Sequence, residues 1–371
     1  MKKILSVLLA LAALLALATS AALAAEVALV TDVGTIDDES FNQACWEGVK
    51  AYAEANGKTY QYYQPGADST DERLNSIDQA VSEGAKVIVC PGYLFGETVA
   101  TAQELYPDVD IIAVDVSAGD LGGVDAQQNL YCAVFGEEQA GYLAGYAVVK
   151  DGYTKLGFLG GMAVPAVQRY GYGFVQGANA AAVELGTPIE INYTYGGQFY
   201  GDANITAKME GWYTTGTEIV FACGGGIYTS AVDAAKKVGA KVIGVDVDQA
   251  GVIANYAGVD GMTVTSAMKG LYPATYDTLT DVIVNGNWEK YVGKIETLGL
   301  VSGTDPEANY VQIPMGDGTQ WSDSFTQDDY KAMVKDMFDG KITVSNNTSS
   351  DVSAADFATV ITVDDQGSIK G

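Results

Sequence analysis

From residue 27 onward, short apolar runs rich in Val, Ile and Phe alternate with longer stretches whose apolar positions recur every three to four residues. Residues 27–31 (Val-Ala-Leu-Val-Thr) precede an amphipathic stretch at 40–56, residues 59–64 precede one at 70–83, and residues 87–90 precede one at 95–106; the run 111–115 closes this series. Strands of four or five residues separated by helices predict a parallel, doubly wound sheet, because such strands need cover on both faces. The same order then repeats. Helices are predicted over 139–150, 164–185, 203–214 and 229–238, with strands over 155–160, 189–195, 219–222 and 241–245. The chain therefore reads as two Rossmann-like halves.

Two segments fall outside that alternation, at 131–138 and 262–269, and both read as strands that cross between the halves. A helix at 272–285 and an extended segment at 294–300 return to the first half, and 309–313 with a helix at 328–338 finish on the second. Three crossovers between two α/β lobes is the plan of the type I periplasmic binding protein fold, whose lobes close on a ligand about a hinge. The expected division is residues 26–132 with 264–300 as lobe one, and 133–263 with 301–345 as lobe two. Residues 346–371, rich in Ser, Asn and Asp, read as an extended C-terminal extension with no site.

Composition narrows the function. With 371 residues, 48% of them apolar, the chain is long enough for two cores of ordinary size. A formal charge of -27 excludes an electrostatic grip on nucleic acid or anionic lipid, which need Lys and Arg to displace counterions. There is no histidine, which removes imidazole as a general base or metal ligand. The four cysteines, Cys45, Cys90, Cys132 and Cys223, have no CxxC spacing and lie in apolar runs, so buried thiols are expected and neither a metal site nor a bridge is. Met1-Lys2-Lys3 leads into an almost wholly apolar run at 4–25 with small residues at its end, the pattern of an export signal cleaved near Glu26. The run is also long enough to span a bilayer, so a retained anchor stays open.

The candidate chemistry clusters at predicted strand ends, where open α/β sheets keep their ligands. Asp32 ends the first strand and Asp115 another strand of lobe one. Asp246 ends a strand of lobe two. Asp38 or Ser40 suits a helix N-cap, with Asp37 and Glu39 favoured by the positive helix end. Phe41 reads as core or as a stacking surface. Gly224-Gly225-Gly226 joins a strand to a helix but lacks a Gly-Lys-Ser/Thr or GxGxxG pattern, so a phosphate cradle is poorly supported and no cofactor is expected.

Five separated blocks resemble one family, the basic membrane protein/PnrA-like substrate-binding proteins of ABC transporters. Thr31 to Gln43 fits its Thr-Asp-x-Gly-x-Ile-Asp-Asp-x-Ser-Phe-Asn-Gln motif throughout. The others are the strand end at Asp115, the block Gly160-Gly161-Met162 with Pro165, Val167, Arg169 and Gly173-Phe174, the pair Gly244-Val245-Asp246-Val247-Asp248-Gln249 and Thr265-Ser266-Ala267-Met268-Lys269, and the glycine turn ahead of Tyr228. The resemblance implies a non-enzymatic, extracytoplasmic protein that captures purine nucleosides for an ABC permease and ATPase. It implies that Phe41 covers one face of the base and Asn42 bonds its edge, with Asp32 and Asp115 as further polar contacts and Met162 touching the base. Gly225 and Gly226 let the chain approach, Tyr228 is the available opposite aromatic, and Asp246 with Lys269 holds the ribose hydroxyls. Family members commonly carry a lipid-modified cysteine at the cleavage point, whereas the first cysteine here is Cys45. A nucleoside hydrolase with an acidic calcium cluster at Asp32, Asp37 and Asp38, or a sugar or autoinducer receptor module, are the alternatives from other classes.

Overall fold

The computed structural model describes residues 25–370; the expected export signal, at 1–25, lies outside the described residues except for Ala25. Chain order in the first half is β1 (Val27–Val30), α1 (Phe41–Asn56), β2 (Tyr60–Tyr63), α2 (Thr70–Ser82), β3 (Val87–Pro91), α3 (Gly96–Leu105), β4 (Asp110–Val114) and β5 (Leu130–Phe135). The second half runs α4 (Glu137–Lys150), β6 (Lys155–Gly160), α5 (Pro165–Leu185), β7 (Glu190–Tyr195), α6 (Ala203–Thr214), β8 (Ile219–Cys223), α7 (Tyr228–Val238), β9 (Lys241–Asp246), α8 (Ala250–Ala257) and β10 (Thr263–Lys269). The chain ends with α9 (Leu271–Leu279), β11 (Ile295–Leu298), β12 (Val311–Gln312), α10 (Gln327–Phe338) and β13 (Thr362–Ser368). Among the described residues no helix is long and apolar enough to cross a membrane.

The strands form two sheets, ordered β11-β5-β4-β3-β1-β2 and β12-β10-β9-β8-β6-β7-β13. Within each, five parallel strands follow the order 5-4-3-1-2 of their own half, so the winding reverses between β1 and β3 in one lobe and between β6 and β8 in the other. Loops diverge at such reversals and leave a crevice beyond the strands' carboxyl ends. The strand sequences explain their depth: β1 (Val-Ala-Leu-Val), β3 and β8 are buried at every position, as strands with helices on both faces require. All four cysteines are buried free thiols.

The three crossings occur beyond strand ends, which shifts the expected lobe boundaries. β5 lies wholly in the first sheet, although the boundary at 132/133 would cut it, because Ile111 to Val114 pair with Leu130 to Ala133. β10, assigned with 264–300 to lobe one, lies in the second sheet, paired with β9 and β12. After β5 the chain passes through Gly136 into α4, which packs on α5; after β10 it passes through Gly270 into α9, which packs on α1. Each lobe thus takes one helix from the end of the other lobe's sheet. The α4–α5 crossing depends on small residues: a Cβ at Gly141, Gly145, Gly173 or Gly177 would lie 2.1, 2.2, 2.1 or 2.0 Å from a facing backbone carbonyl oxygen. The tail also departs from expectation, because β13 adds in parallel to β7 as the edge of the second sheet.

Candidate functional site

The two reversals face each other across a cleft lined by residues of both lobes. Lobe one contributes Asp32, Gly34, Asp38, Phe41, Asn42, Tyr93 and Asp115; lobe two contributes Tyr170, Phe199, the turn 223–226 and Asp246; Lys269 ends the crossover strand between them. Of the sequence-predicted site residues, Asp32, Phe41, Asn42, Asp115, Gly225, Gly226, Asp246 and Lys269 line this space.

Asp32 leaves β1 with Oδ1 accepting from the Gly34 amide at 2.7 Å and from Asn42 Nδ2 at 3.0 Å. Asn42 Nδ2 also donates to Asp38 Oδ2 at 3.1 Å. Both amide protons are thereby engaged, so Asn42 braces two carboxylates. Asp38 is the side chain that caps α1, accepting from the amides of Ser40, Asn42 and Gln43 at 2.9–3.1 Å. Ser40 instead reaches across the cleft. Burial pushes the Asp32 carboxyl up to about 6, against the Gly34 and Asn42 hydrogen bonds that pull it down. A Cβ at Gly92 would meet Asp32 Oδ2 at 2.9 Å, so glycine is required for this approach.

Asp115 and Asp246 occupy corresponding places at the ends of β4 and β9, and both adopt left-handed backbone, with φ of 60° and 66°. Non-glycine residues rarely do so, and such strain persists where surroundings over-determine it. Lys269 supplies that constraint. Its Nζ hydrogen-bonds Asp115 Oδ2 and lies 3.4 Å from Glu137 Oε1 and 3.7 Å from Asp246 Oδ1. The ammonium also stands 4.8 Å from the centre of the Phe41 ring, and 5.6 Å from those of Phe135 and Tyr170. Burial favours the neutral lysine, but Asp115, Asp246 and Glu137 outweigh it and keep the ammonium charged. Burial raises Asp115 and Asp246 above the usual carboxylate range, with Lys269 opposing. Glu137 is held below it because Arg169, whose Nε donates to it at 2.6 Å, and Lys269 together overcome burial.

The lobes are closed on this cleft. Ser40 Oγ donates to Asp246 Oδ2 at 2.7 Å, Gln249 Nε2 to the Glu39 carbonyl at 3.1 Å, and the Tyr93 hydroxyl to Met162 Sδ at 3.7 Å.

Two predicted residues lie outside the lining. Met162 sits under Tyr93 as a bridge between lobes. Tyr228 opens α7 and packs edge-on against Tyr256, ring centres 5.9 Å apart, because the turn before it spends its left-handed glycines, Gly224 and Gly225, in letting residue 199 approach. Lobe two instead presents Phe199, beyond the end of β7, and Tyr170 to the cleft. The signal for Phe199 was the Gly196-Gly197 pair after a strand, followed by aromatic residues. Tyr93, Tyr170 and Glu137 were also unmarked, and Asp38 joins the lining as well as capping the helix.

Comparisons with known proteins bear on the family and the fold. The profile of the family described as Bmp, ABC transporter substrate-binding protein PnrA-like, matches residues 25–304. The chain is 28% identical to the "ABC transporter nucleoside-binding protein BmpA" of Lactococcus lactis subsp. cremoris over 326 residues, covering 83% of this chain and 86% of that protein. It is 28% identical to "Basic membrane protein B" of Borreliella burgdorferi over 291 residues, 75% of this chain and 81% of the relative. Among solved structures, an ABC transporter solute-binding protein from Aeropyrum pernix K1 superposes with a TM-score of 0.65 at 22% identity, covering 87% of each chain, which supports the type I binding-protein fold. With the family profile matched over most of its length, the chain belongs to the PnrA-like substrate-binding proteins of ABC transporters.

Proposed function

We propose that this protein captures purine nucleosides outside the cytoplasm and delivers them to the permease of an ABC importer, without altering them. The observation that carries the reading is the buried triad of Asp115, Lys269 and Asp246 at the closed cleft. Asp115 Oδ1 is buried with no hydrogen-bond partner, and an unsatisfied buried acceptor costs about 1–3 kcal/mol. A ligand donor would relieve that cost. Asp246 would accept from vicinal hydroxyls while Lys269 donates to the same oxygens, and Phe41 and Phe199, from opposite lobes, would cover the faces of a flat base. Four lining carboxylates, Asp32, Asp38, Asp115 and Asp246, stand against one ammonium, Lys269, which favours a neutral, donor-rich ligand over a phosphorylated one. The name of the Lactococcus lactis relative supports the nucleoside class.

The hydrolase alternative needs Asp32, Asp37 and Asp38 to converge on a cation. Asp37 is exposed, outside the cleft lining, and among the described residues no group of three or more His, Cys, Asp or Glu side chains is placed to hold a metal. Parallel calorimetric titration with adenosine, inosine, 2′-deoxyadenosine, adenine, ribose and AMP tests the proposal. Adenosine or inosine should bind best, the deoxynucleoside and free base more weakly, and AMP worst. Equal affinity for adenine and adenosine would sink the role of Asp246 and Lys269, and tight ribose binding would favour the sugar-receptor alternative. Calcium-dependent release of hypoxanthine from inosine would move the case to an enzyme.

A further inference from the structure

The tail beyond the family-matched region ends on the loop that carries Phe199. β13 runs in parallel along β7 from Thr362 opposite Glu190 to Ser368 opposite Tyr195, with an irregularity after Asp365. Side chains pin it on the way: Thr194 Oγ1 donates to the Gly367 carbonyl at 2.9 Å, and Trp212 Nε1 to Gln366 Oε1 at 3.2 Å. The Ile369 amide then bonds the Tyr195 carbonyl at 2.8 Å, carrying the tail past the end of β7 to the cleft side of the sheet. There Lys370 Nζ hydrogen-bonds Gln198 Oε1 and lies 2.6 Å from Asp202 Oδ2, with the Tyr200 ring centre at 5.8 Å.

These contacts bracket Phe199 on both sides. Gln198 precedes it, Tyr200 follows it, and Asp202 caps α6 by accepting from the Asn204 and Ile205 amides. Gly197, with φ of 80°, is where the two chains touch, since a Cβ there would lie 2.8 Å from Lys370 Cβ. On its other side the loop bridges to the glycine turn, Tyr200 pairing with Gly226. A Cβ at Gly161 would lie 2.4 Å from the Phe199 ring, so the ring is seated in a slot left by glycines.

We infer that β13 and Lys370 act as a strap that positions the Phe199 loop and so sets how slowly the cleft releases its ligand. The inference rests on the reading of Phe199 as a ligand-covering face. Lys370 touches no cleft atom, so it is a positioning residue. Holding the loop before the ligand arrives removes an ordering cost from binding, and its loss should appear mainly in the dissociation rate.

The experiment compares full-length protein with Lys370→Ala, Lys370→Arg and a deletion of residues 362–371. Two readouts are needed: amide hydrogen exchange over residues 197–202 without ligand, and dissociation of adenosine by stopped flow. Lys370→Ala should speed loop exchange and raise the adenosine dissociation rate about two- to fivefold, as expected of a partly exposed charge contact. The deletion should raise that rate about tenfold or more, Lys370→Arg should restore both readouts, and Lys370→Ala should add nothing in a Phe199→Ala background. Unchanged loop exchange in Lys370→Ala and in the deletion overturns the strap. So does an additive effect of Lys370→Ala on top of Phe199→Ala. If full-length protein ignores adenosine, the nucleoside reading fails while the exchange measurement still decides the strap.

Discussion

Phe41 is half-buried beside Lys269 and faces the cleft, so its removal takes away stacking surface together with apolar area. Phe41→Ala should weaken nucleoside binding by about 1–3 kcal/mol, with Phe41→Tyr milder, by calorimetry on folded variants. An unchanged affinity would return the ring to a packing role. Asp32 makes a different prediction, about pH. Its carboxyl titrates near 3.8 when unfolded and is pushed to about 6 by burial, so folding takes up a proton between those values. Ionised Asp32 thus disfavours the folded state above pH 6, by at most roughly 3 kcal/mol, and stability falls as pH rises through that window. Asp32→Asn should be the more stable of the two at pH 7, and its urea midpoint should change less between pH 4 and pH 7. Asp115, Asp246 and Glu138 are raised by burial too, so the slope should shrink and not vanish. A steeper slope in the variant would contradict the burial argument.

The pairing of α4 with α5 tolerates little change. At Gly173 an added methyl would lie 2.1 Å from the Glu138 carbonyl oxygen, and neither helix backbone can yield locally. Gly173→Ala should therefore destabilise by about 1–3 kcal/mol or more, despite the roughly 1 kcal/mol that alanine contributes to an isolated helix. Urea denaturation checks the sign; a stabilised variant would mean the helices can part without cost. This constraint reaches the site directly, because α4 begins with Glu137, one residue after the chain crosses from β5, and α5 carries Arg169 and Tyr170. The strand ends and helix lengths were largely legible from periodicity. β13 was not, because its Thr-Val-Asp-Asp-Gln-Gly-Ser lacks an apolar face and gains its partners only from the free edge of β7.

Closure of the two lobes rests on polar links that include the buried ion pair of Lys269 with Asp115, Ser40 to Asp246 and Gln249 to the Glu39 carbonyl. Gln249 also accepts from the Val245 amide at 3.0 Å, so it ties the Asp246 strand end to the opposite lobe. Gln249→Ala should shift the ligand-free protein toward an open arrangement, seen as a larger radius of gyration in small-angle X-ray scattering, and saturating nucleoside should reverse it. An unchanged radius without ligand would show that the link does not bias the hinge.

Strand-end position drew attention to Asp32, Asp115 and Asp246, because a carboxylate at that point of an open α/β sheet has few places to go except the crevice. Lys269 was marked only by the family resemblance. The Thr31 to Gln43 motif likewise marked Phe41 and Asn42, but not their division of labour: Asn42 is engaged by Asp32 and Asp38, a fact of three-dimensional distance. The choice of Phe199 over Tyr228 depended on which way two loops turn, and that is set by the left-handed glycines at Gly224 and Gly225 packing against residue 199. The packing of α9 on α1, and the docking of the tail on β7, arise from contacts between segments more than a hundred residues apart. Periodicity reports what a segment must bury, and the fold alone supplies the surface that buries it.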